Sequence, residues 1–160
     1  MFEIRITDMW VATQIGPYWA DATITLLNHL DMMEFPDWDN QLKVIIEDVH
    51  FSDYPDAPKK KHIKRILDFT AGLKNQECKL LIHCAAGISR STAAAIAVLA
   101  QQGLDPDKAV RHVSGIRNIS YPNELITQHA DEFLSLGGML NKAVKLRHKE
   151  RMNALTGRAM

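Results

Sequence analysis

Apolar residues gather in four short runs in the first half of the chain and then spread out to helical spacing. Phe2–Thr7 alternates apolar and polar positions and predicts a short edge strand. Ala22–Leu27 (ATITLL), Leu42–Ile46 (LKVII) and Lys79–His83 (KLLIH) are compact β-branched and aliphatic runs, predicting further strands, largely buried. After Leu27 comes a polar, aromatic loop with Pro36, Asp37, Trp38 and Asp39, and after Ile46 an Asp- and Pro-rich loop, Asp48–Pro58 (DVHFSDYPDAP). From Lys59 the period changes, and Ile63, Ile66, Leu67, Thr70 and Leu73 share one helical face. Ser91–Gln102 (STAAAIAVLAQQ) is small and apolar on nearly every side, which places that helix at the centre of the molecule. Gly103 stops it, and Asp105-Pro106 supplies an N-cap and a first helical residue for a helix running to about Arg117. Pro122 opens another helix that runs to Gly137-Gly138, and a final helix carries the C-terminal basic residues. Early strands followed by late helices predict an α/β fold: a central, mostly parallel sheet flanked by helices, with an all-helical C-terminal part.

A length of 160 residues fits one domain with a real core. The expected division is a domain over residues 1–140 and a basic helix or tail over 141–160. Nineteen basic residues balance nineteen acidic ones, so overall charge makes no case for nucleic acid or a membrane surface. The balance is local, however. Residues 141–160 carry Lys142, Lys145, Arg147, Lys149, Arg151 and Arg158 against Glu150 alone, a formal +5. That end is the one compositional signal of an acidic partner, and its plainer reading is a solvated helix face. No apolar run approaches the ~18 residues of a membrane span, and MFEIRITDMW does not read as a signal peptide. Two cysteines, Cys78 and Cys84, make no disulfide framework. A reducing cytoplasm is the expected compartment, where a free Cys stays nucleophilic.

The chemistry concentrates in KLLIHCAAGISRST, which reads as strand, tight loop and helix. A loop that ends at a helix N-terminus meets unpaired N–H groups and the positive end of the helix dipole, both of which favour an anion. Gly87 lets the loop curl, so the backbone from Ala85 through Ala86, Ile88 and Ser89 to Arg90 can form a nest of N–H groups around a phosphate. Arg90 adds a planar fork that fits two phosphate oxygens. Cys84 sits at the strand end below the nest, where the same field stabilises a thiolate.

His83-Cys84-Ala85-Ala86-Gly87-Ile88-Ser89-Arg90-Ser91 resembles the HCxxGxxR(S/T) signature of the protein tyrosine phosphatase superfamily, and the short chain resembles its compact dual-specificity group over roughly residues 2–137. The resemblance implies a phosphomonoester hydrolase that needs no cofactor and no metal. In it Cys84 is the nucleophile that becomes a phosphocysteine, and Arg90 clamps the phosphoryl group. Ser91 hydrogen-bonds the Cys sulfur and helps it leave, while His83 braces the loop without transferring a proton. Cys78 reads as structural, with a redox partnership to Cys84 as the alternative.

Loss of an alkoxide or phenolate needs a proton donor. Relatives place an Asp on a mobile loop upstream of the Cys, and Asp53, 31 positions before Cys84, matches their spacing. Asp56 is the second candidate and Asp48 the third; a solvated turn is the ordinary place for any of them. Trp10, Trp19 and Trp38 read as core or rim packing, with substrate stacking as the alternative. His50, His62, His112 and His129 lack metal-ligand spacing. Asn123 reads as a helix start, with support of the phosphate loop as its alternative. The central apolar helix and the helical run after it argue against a rhodanese-like sheet with a similar Cys-to-Arg loop. Ala85–Ser89 holds no basic side chain, which points to phosphotyrosine in proteins, with phosphoserine and phosphothreonine as further substrates. The rival readings are a catalytically weak module that recognises a phosphorylated partner and a phosphatase for a non-protein phosphoester.

Overall fold

The computed structural model describes residues 1–73 and 77–157. Four strands, β1 (Glu3–Thr7), β2 (Ala22–Leu27), β3 (Gln41–Ile45) and β4 (Lys79–His83), form one sheet in the order β1-β4-β2-β3. Every pairing is parallel, with Thr7 opposite His83, Thr25 opposite His83 and Leu27 opposite Ile45. β1 is an edge strand, as its alternation predicts. All four strands therefore end on the same side of the sheet, the side on which parallel α/β sheets carry their ligands.

Strand β2 is buried on both faces, and each face has its own apolar layer. Ile24, Leu26, Val44, Leu80 and Ile82 point toward α3 (Lys60–Ala71), α4 (Arg90–Gln101), α5 (Pro106–Ile116) and α6 (Glu124–Phe133). Leu27 and Leu81 point the other way, into a smaller layer with Ala12, Met32 and Phe35. Helix α4 is the centre of the larger layer: its residues from Arg90 to Ala100 are all buried, as the apolar run STAAAIAVLA requires. Each large aliphatic side chain taken fully from water there contributes about 1.5–3 kcal/mol.

The smaller layer holds two helices that the hydrophobic pattern does not predict. Helix α1 (Met9–Trp19) fills a stretch without a regular period, because it contains Gly16 and Pro17 and leaves Trp10, Val11 and Tyr18 exposed. Asp8 caps it, accepting from the Val11 N–H at 2.8 Å. Helix α2 (His29–Glu34) occupies the start of the expected loop before Pro36, capped by Asn28, which accepts from the Asp31 N–H. Gly16 is small because Trp38 lies against α1 there; a Cβ would stand 2.5 Å from the indole. Trp19 is covered by the Arg5 guanidinium, 4.3 Å from its ring centroid. Trp10 departs from the packing expectation: it is 72% exposed.

The last helix, α7 (Met139–Thr156), begins just before the expected boundary at residue 140 and buries Leu140, Val144 and His148. It packs on α5 and α6. Its start is capped by the buried Asp131 of α6, whose carboxylate accepts from the N–H groups of Gly138 (2.7 Å), Leu140 (2.6 Å) and Asn141 (3.2 Å). Among the basic residues of this end, Arg147 donates to Ser114 and Glu150, and Arg151 to the Asn118 carbonyl. Lys142, Lys145 and Lys149 are exposed, and Arg158 lies outside the described residues. No described helix is long and apolar enough to cross a membrane.

Candidate active site

Strand β4 carries His83 to the binding edge of the sheet, Cys84 follows it, and α4 begins at Arg90. The loop between them is wired from outside through its carbonyl groups. The Ala85 carbonyl accepts from the Met9 N–H at 3.1 Å, at the start of α1. Arg117, just past α5, donates to the carbonyls of Ala86 (3.2 Å) and Gly87 (2.9 Å). The Tyr121 N–H donates to Ile88 at 2.8 Å and the Asn123 N–H to Ser89 at 3.1 Å. With five successive carbonyls held from outside, the N–H groups are left for the interior. Those of Ala85, Ala86, Ile88, Ser89 and Arg90 donate to no acceptor among the described residues. Such a ring of N–H groups at the head of a long helix is an anion nest.

Gly87 makes the curl possible. Its φ of +68° is in the left-handed region, and a Cβ there would stand 2.6 Å from the Thr7 carbonyl carbon and oxygen. Beside it, the Gly87 N–H donates to the Cys84 Sγ at 3.2 Å, and the Ser91 hydroxyl lies 3.2 Å from the same sulfur. Burial alone would raise the Cys84 thiol. The Ser91 hydroxyl and backbone, the Arg90 charge and the Gly87 N–H together outweigh it, and the thiol stands below its ordinary value. Arg90 is 6% exposed and anchored by Nη1 to the Ile46 carbonyl at 2.9 Å, whereas its buried Nε has no partner among the described residues. An unpaired donor on a buried guanidinium is costly, and a phosphate oxygen would satisfy it.

His83 is buried and its Nε2 lies 2.8 Å from the Thr25 hydroxyl. The Cys84 carbonyl, 3.3 Å from Nδ1, can only accept, so the ring proton sits on Nδ1, and the Thr25 hydroxyl, which itself accepts from Gln41 Nε2 at 2.9 Å, donates to His83 Nε2. Burial pushes His83 down to about 4, more than the Cys84 carbonyl and Asp8 restore, and Arg90 pushes the same way. A neutral, braced imidazole results, suited to orient the loop.

The three candidate acids separate clearly. Asp53 is exposed in the turn following Phe51, and its carboxylate is bonded to nothing among the described residues. Asp56 is also exposed, with φ +56°; its carbonyl accepts from the Glu47 N–H and ties the loop base. Asp48, ranked last by spacing, is the one bonded to the phosphate loop. It accepts from the Ser89 hydroxyl at 2.7 Å and from Asn123 Nδ2 at 2.9 Å. Asn123 fills both of its sequence readings, since its Oδ1 also caps α6 through the Ile126 N–H. Arg117 and Tyr121 escaped the sequence reading, because a helix end and a short connection carry no motif. Among the described residues no three metal-ligating side chains converge. Cys78 and Cys84 bracket the five-residue strand β4, which at about 3.3 Å per residue sets them about 20 Å apart, far beyond disulfide reach. A disulfide between the two within one chain is thereby excluded; Cys78 is buried, and burial and Asp21 raise its thiol.

A family model, the catalytic domain of dual specificity phosphatases, matches residues 21–131. The chain belongs to this family. Its match begins at β2 and ends at Asp131, so it includes the whole phosphate loop and the Arg117–Asn123 segment that wires it. Dual specificity protein phosphatase 15 of Rattus norvegicus is 36% identical over 86 residues, 53% of this chain and 36% of that protein. The chain thus matches little more than a third of that relative's length. Among solved structures, human DUSP28 superposes with a TM-score of 0.64 at 17% identity, covering 83% of this chain and 88% of that one. DUSP15 superposes with a TM-score of 0.56 at 25% identity, covering 90% and 91%. The family match establishes the family, and the superpositions bear out the fold class.

Proposed function

We propose that this protein hydrolyses phosphomonoesters through a phosphocysteine intermediate and acts on phosphotyrosine in proteins, with phosphoserine and phosphothreonine as further substrates. The observation that carries the proposal is the buried Arg90 Nε, without a partner among the described residues, beside a thiol lowered by its own loop. The inward N–H groups and Arg90 bind the phosphoryl oxygens and meet the charge that builds in the transition state. The Cys84 thiolate attacks phosphorus, and the bond from phosphorus to the substrate oxygen breaks. Asp53 gives that oxygen its proton; its carboxylate is exposed and uncommitted, whereas Asp48 is occupied in holding Ser89 and Asn123. Water then attacks the phosphocysteine and gives its proton back to Asp53, releasing phosphate, while the Ser91 hydroxyl stabilises the departing thiolate. The chemistry requires a reduced Cys84, and a cytoplasmic setting provides it. The exposed lysines of α7 offer a basic face to an acidic partner.

Hydrolysis of para-nitrophenyl phosphate tests this reading directly. The wild-type protein is expected to turn it over. Cys84→Ser abolishes turnover and keeps phosphate-analogue binding, and Arg90→Lys is severely impaired because it retains the charge and loses the fork. A wild-type protein that binds phosphotyrosyl peptides without hydrolysing any ester would instead be a recognition module.

A further inference from the structure

A groove of about 580 Å³ lies along the outer edge of the sheet, between α2, β3 and the N-terminal turns of α3. Lys43, Ile45, Asp56, Lys61, His62 and Arg65 contribute to its wall. Its position follows from the topology. β3 runs parallel to β4, Ile45 precedes Ile46, and the Ile46 carbonyl holds Arg90. The groove therefore lies on the β3 edge, toward the end of the sheet that carries the phosphate loop and across β2 from it, and it shares Asp56 with the loop that carries Asp53.

The groove is built to receive negative charge. His62 is only 8% exposed, and its Nδ1 accepts from the Lys59 N–H at 3.1 Å, so the ring proton sits on Nε2. That Nε2–H makes no hydrogen bond among the described residues. Arg65 spends Nη2 on the Lys43 carbonyl at 2.9 Å, and the rest of its fork meets no carboxylate among the described residues. Lys61 is exposed and likewise makes no ion pair there. Lys60, by contrast, pairs with Glu132, and Lys43 with Asp37. The field is legible at the buried ring: burial, then Lys61, Arg65 and Lys59, push His62 down to about 4, and Asp56 alone pulls it up. Two uncommitted cations facing one carboxylate on the rim leave a modest positive excess. That excess matches one carboxylate better than a phosphate dianion, which Asp56 would repel.

We infer that this groove holds an acidic side chain, Asp or Glu, of the phosphoprotein substrate, beside the phosphorylated residue seated over Cys84. The inference rests on the phosphatase reading and adds to it a determinant of substrate choice. A carboxylate in the groove meets Lys61, the open side of Arg65 and the His62 Nε2–H, and it does so next to the base of the acid loop.

The test compares phosphotyrosyl peptides identical except for Glu or Gln at the flanking positions. The ratio of their kcat/KM values is measured for wild type and for Lys61→Glu. Wild type is expected to favour the Glu peptide by roughly fivefold, the scale of one well-placed surface charge pair. Lys61→Glu should erase or invert that ratio, and a peptide with Lys at the same position should regain what the Glu peptide loses. A ratio that is unity in wild type, or that Lys61→Glu leaves unmoved, overturns the proposal. Anionic vesicles that bind wild type but not Lys61→Glu, with no peptide preference, would overturn it in favour of a membrane surface. Should wild type hydrolyse nothing, including para-nitrophenyl phosphate, the phosphatase reading fails by itself. The groove is then decided by the affinities of the Glu and Gln peptides for Cys84→Ser, with and without Lys61→Glu, read by fluorescence anisotropy.

Discussion

The sulfur of Cys84 is held by two donors, and their contributions are separable. The Gly87 N–H belongs to the loop backbone, but the Ser91 hydroxyl can be removed without moving the chain. Ser91→Ala is expected to raise the thiol, because the hydrogen bond it removes favours the charged form. Alkylation by iodoacetamide across pH measures it: the inflection should move upward, and an unmoved inflection would assign the low thiol to the backbone and Arg90. The carboxylates separate in a similar way. Asp53→Asn should slow seryl and alkyl phosphates by roughly 10²–10⁴-fold and activated aryl phosphates much less, since a good leaving group departs without a proton. Asp48→Asn should slow all esters alike, because Asp48 acts by holding Ser89 and Asn123 rather than by meeting the leaving oxygen. If the leaving-group dependence appears with Asp48 and not with Asp53, the acid has been misassigned. Residue spacing pointed to Asp53, but it carried no sign that Asp48 is bonded to the phosphate loop. That contact joins residues 41 and 75 positions apart, which no local pattern records.

At the level of elements, the phosphate loop is legible in sequence while its supports are not. Gly87 and the apolar runs on either side announce strand, turn and helix by themselves. The donors that hold the loop carbonyls outward come from the start of α1, the end of α5 and the approach to α6, and each is an ordinary residue at an element boundary. Helix α1 is hidden by Pro17, which removes one helical donor, and by a face that leaves Trp10 and Tyr18 in solvent. The C-terminal helix is tied to these supports. His148 stacks on Tyr121 with ring centroids 3.8 Å apart, and its Nδ1 bonds Glu124 at 3.0 Å. Asp131 in turn sets where α7 starts, by receiving three N–H groups. Asp131→Ala leaves those donors at the buried junction without an acceptor, and it should cost about 2–3 kcal/mol in urea unfolding. Asp131→Asn should recover part of that loss through its remaining carbonyl oxygen. A destabilisation below about 0.5 kcal/mol for the Ala variant would show that α7 docks through its apolar face alone.

Across the whole molecule, the parallel sheet gathers four strand ends on one side, and its two faces are closed by layers that bury histidines as neutral rings. His83 lies under the phosphate loop and His62 lies under the edge groove, and both are pushed down to about 4, chiefly by burial. Their protonation therefore couples the stability of the fold to pH. The unfolded chain takes up a proton on each ring near pH 6.5, whereas the folded protein leaves both neutral until about pH 4. Between those values the unfolded state binds more protons, so stability is full above pH 6.5 and falls as the pH drops toward 4. Urea unfolding at stepped pH should show a slope in that window approaching one proton for each histidine. His62→Gln tests the assignment at the position farther from Cys84. Its amide oxygen can still accept from the Lys59 N–H, but it does not titrate, so the slope should fall by up to one proton while the stability at pH 7.5 changes little. A His62→Gln protein with the full wild-type slope would place the uptake elsewhere. His148, lowered by burial against the pull of Glu124, is the next ring to replace, because it sits where α7 meets the segment that wires the phosphate loop.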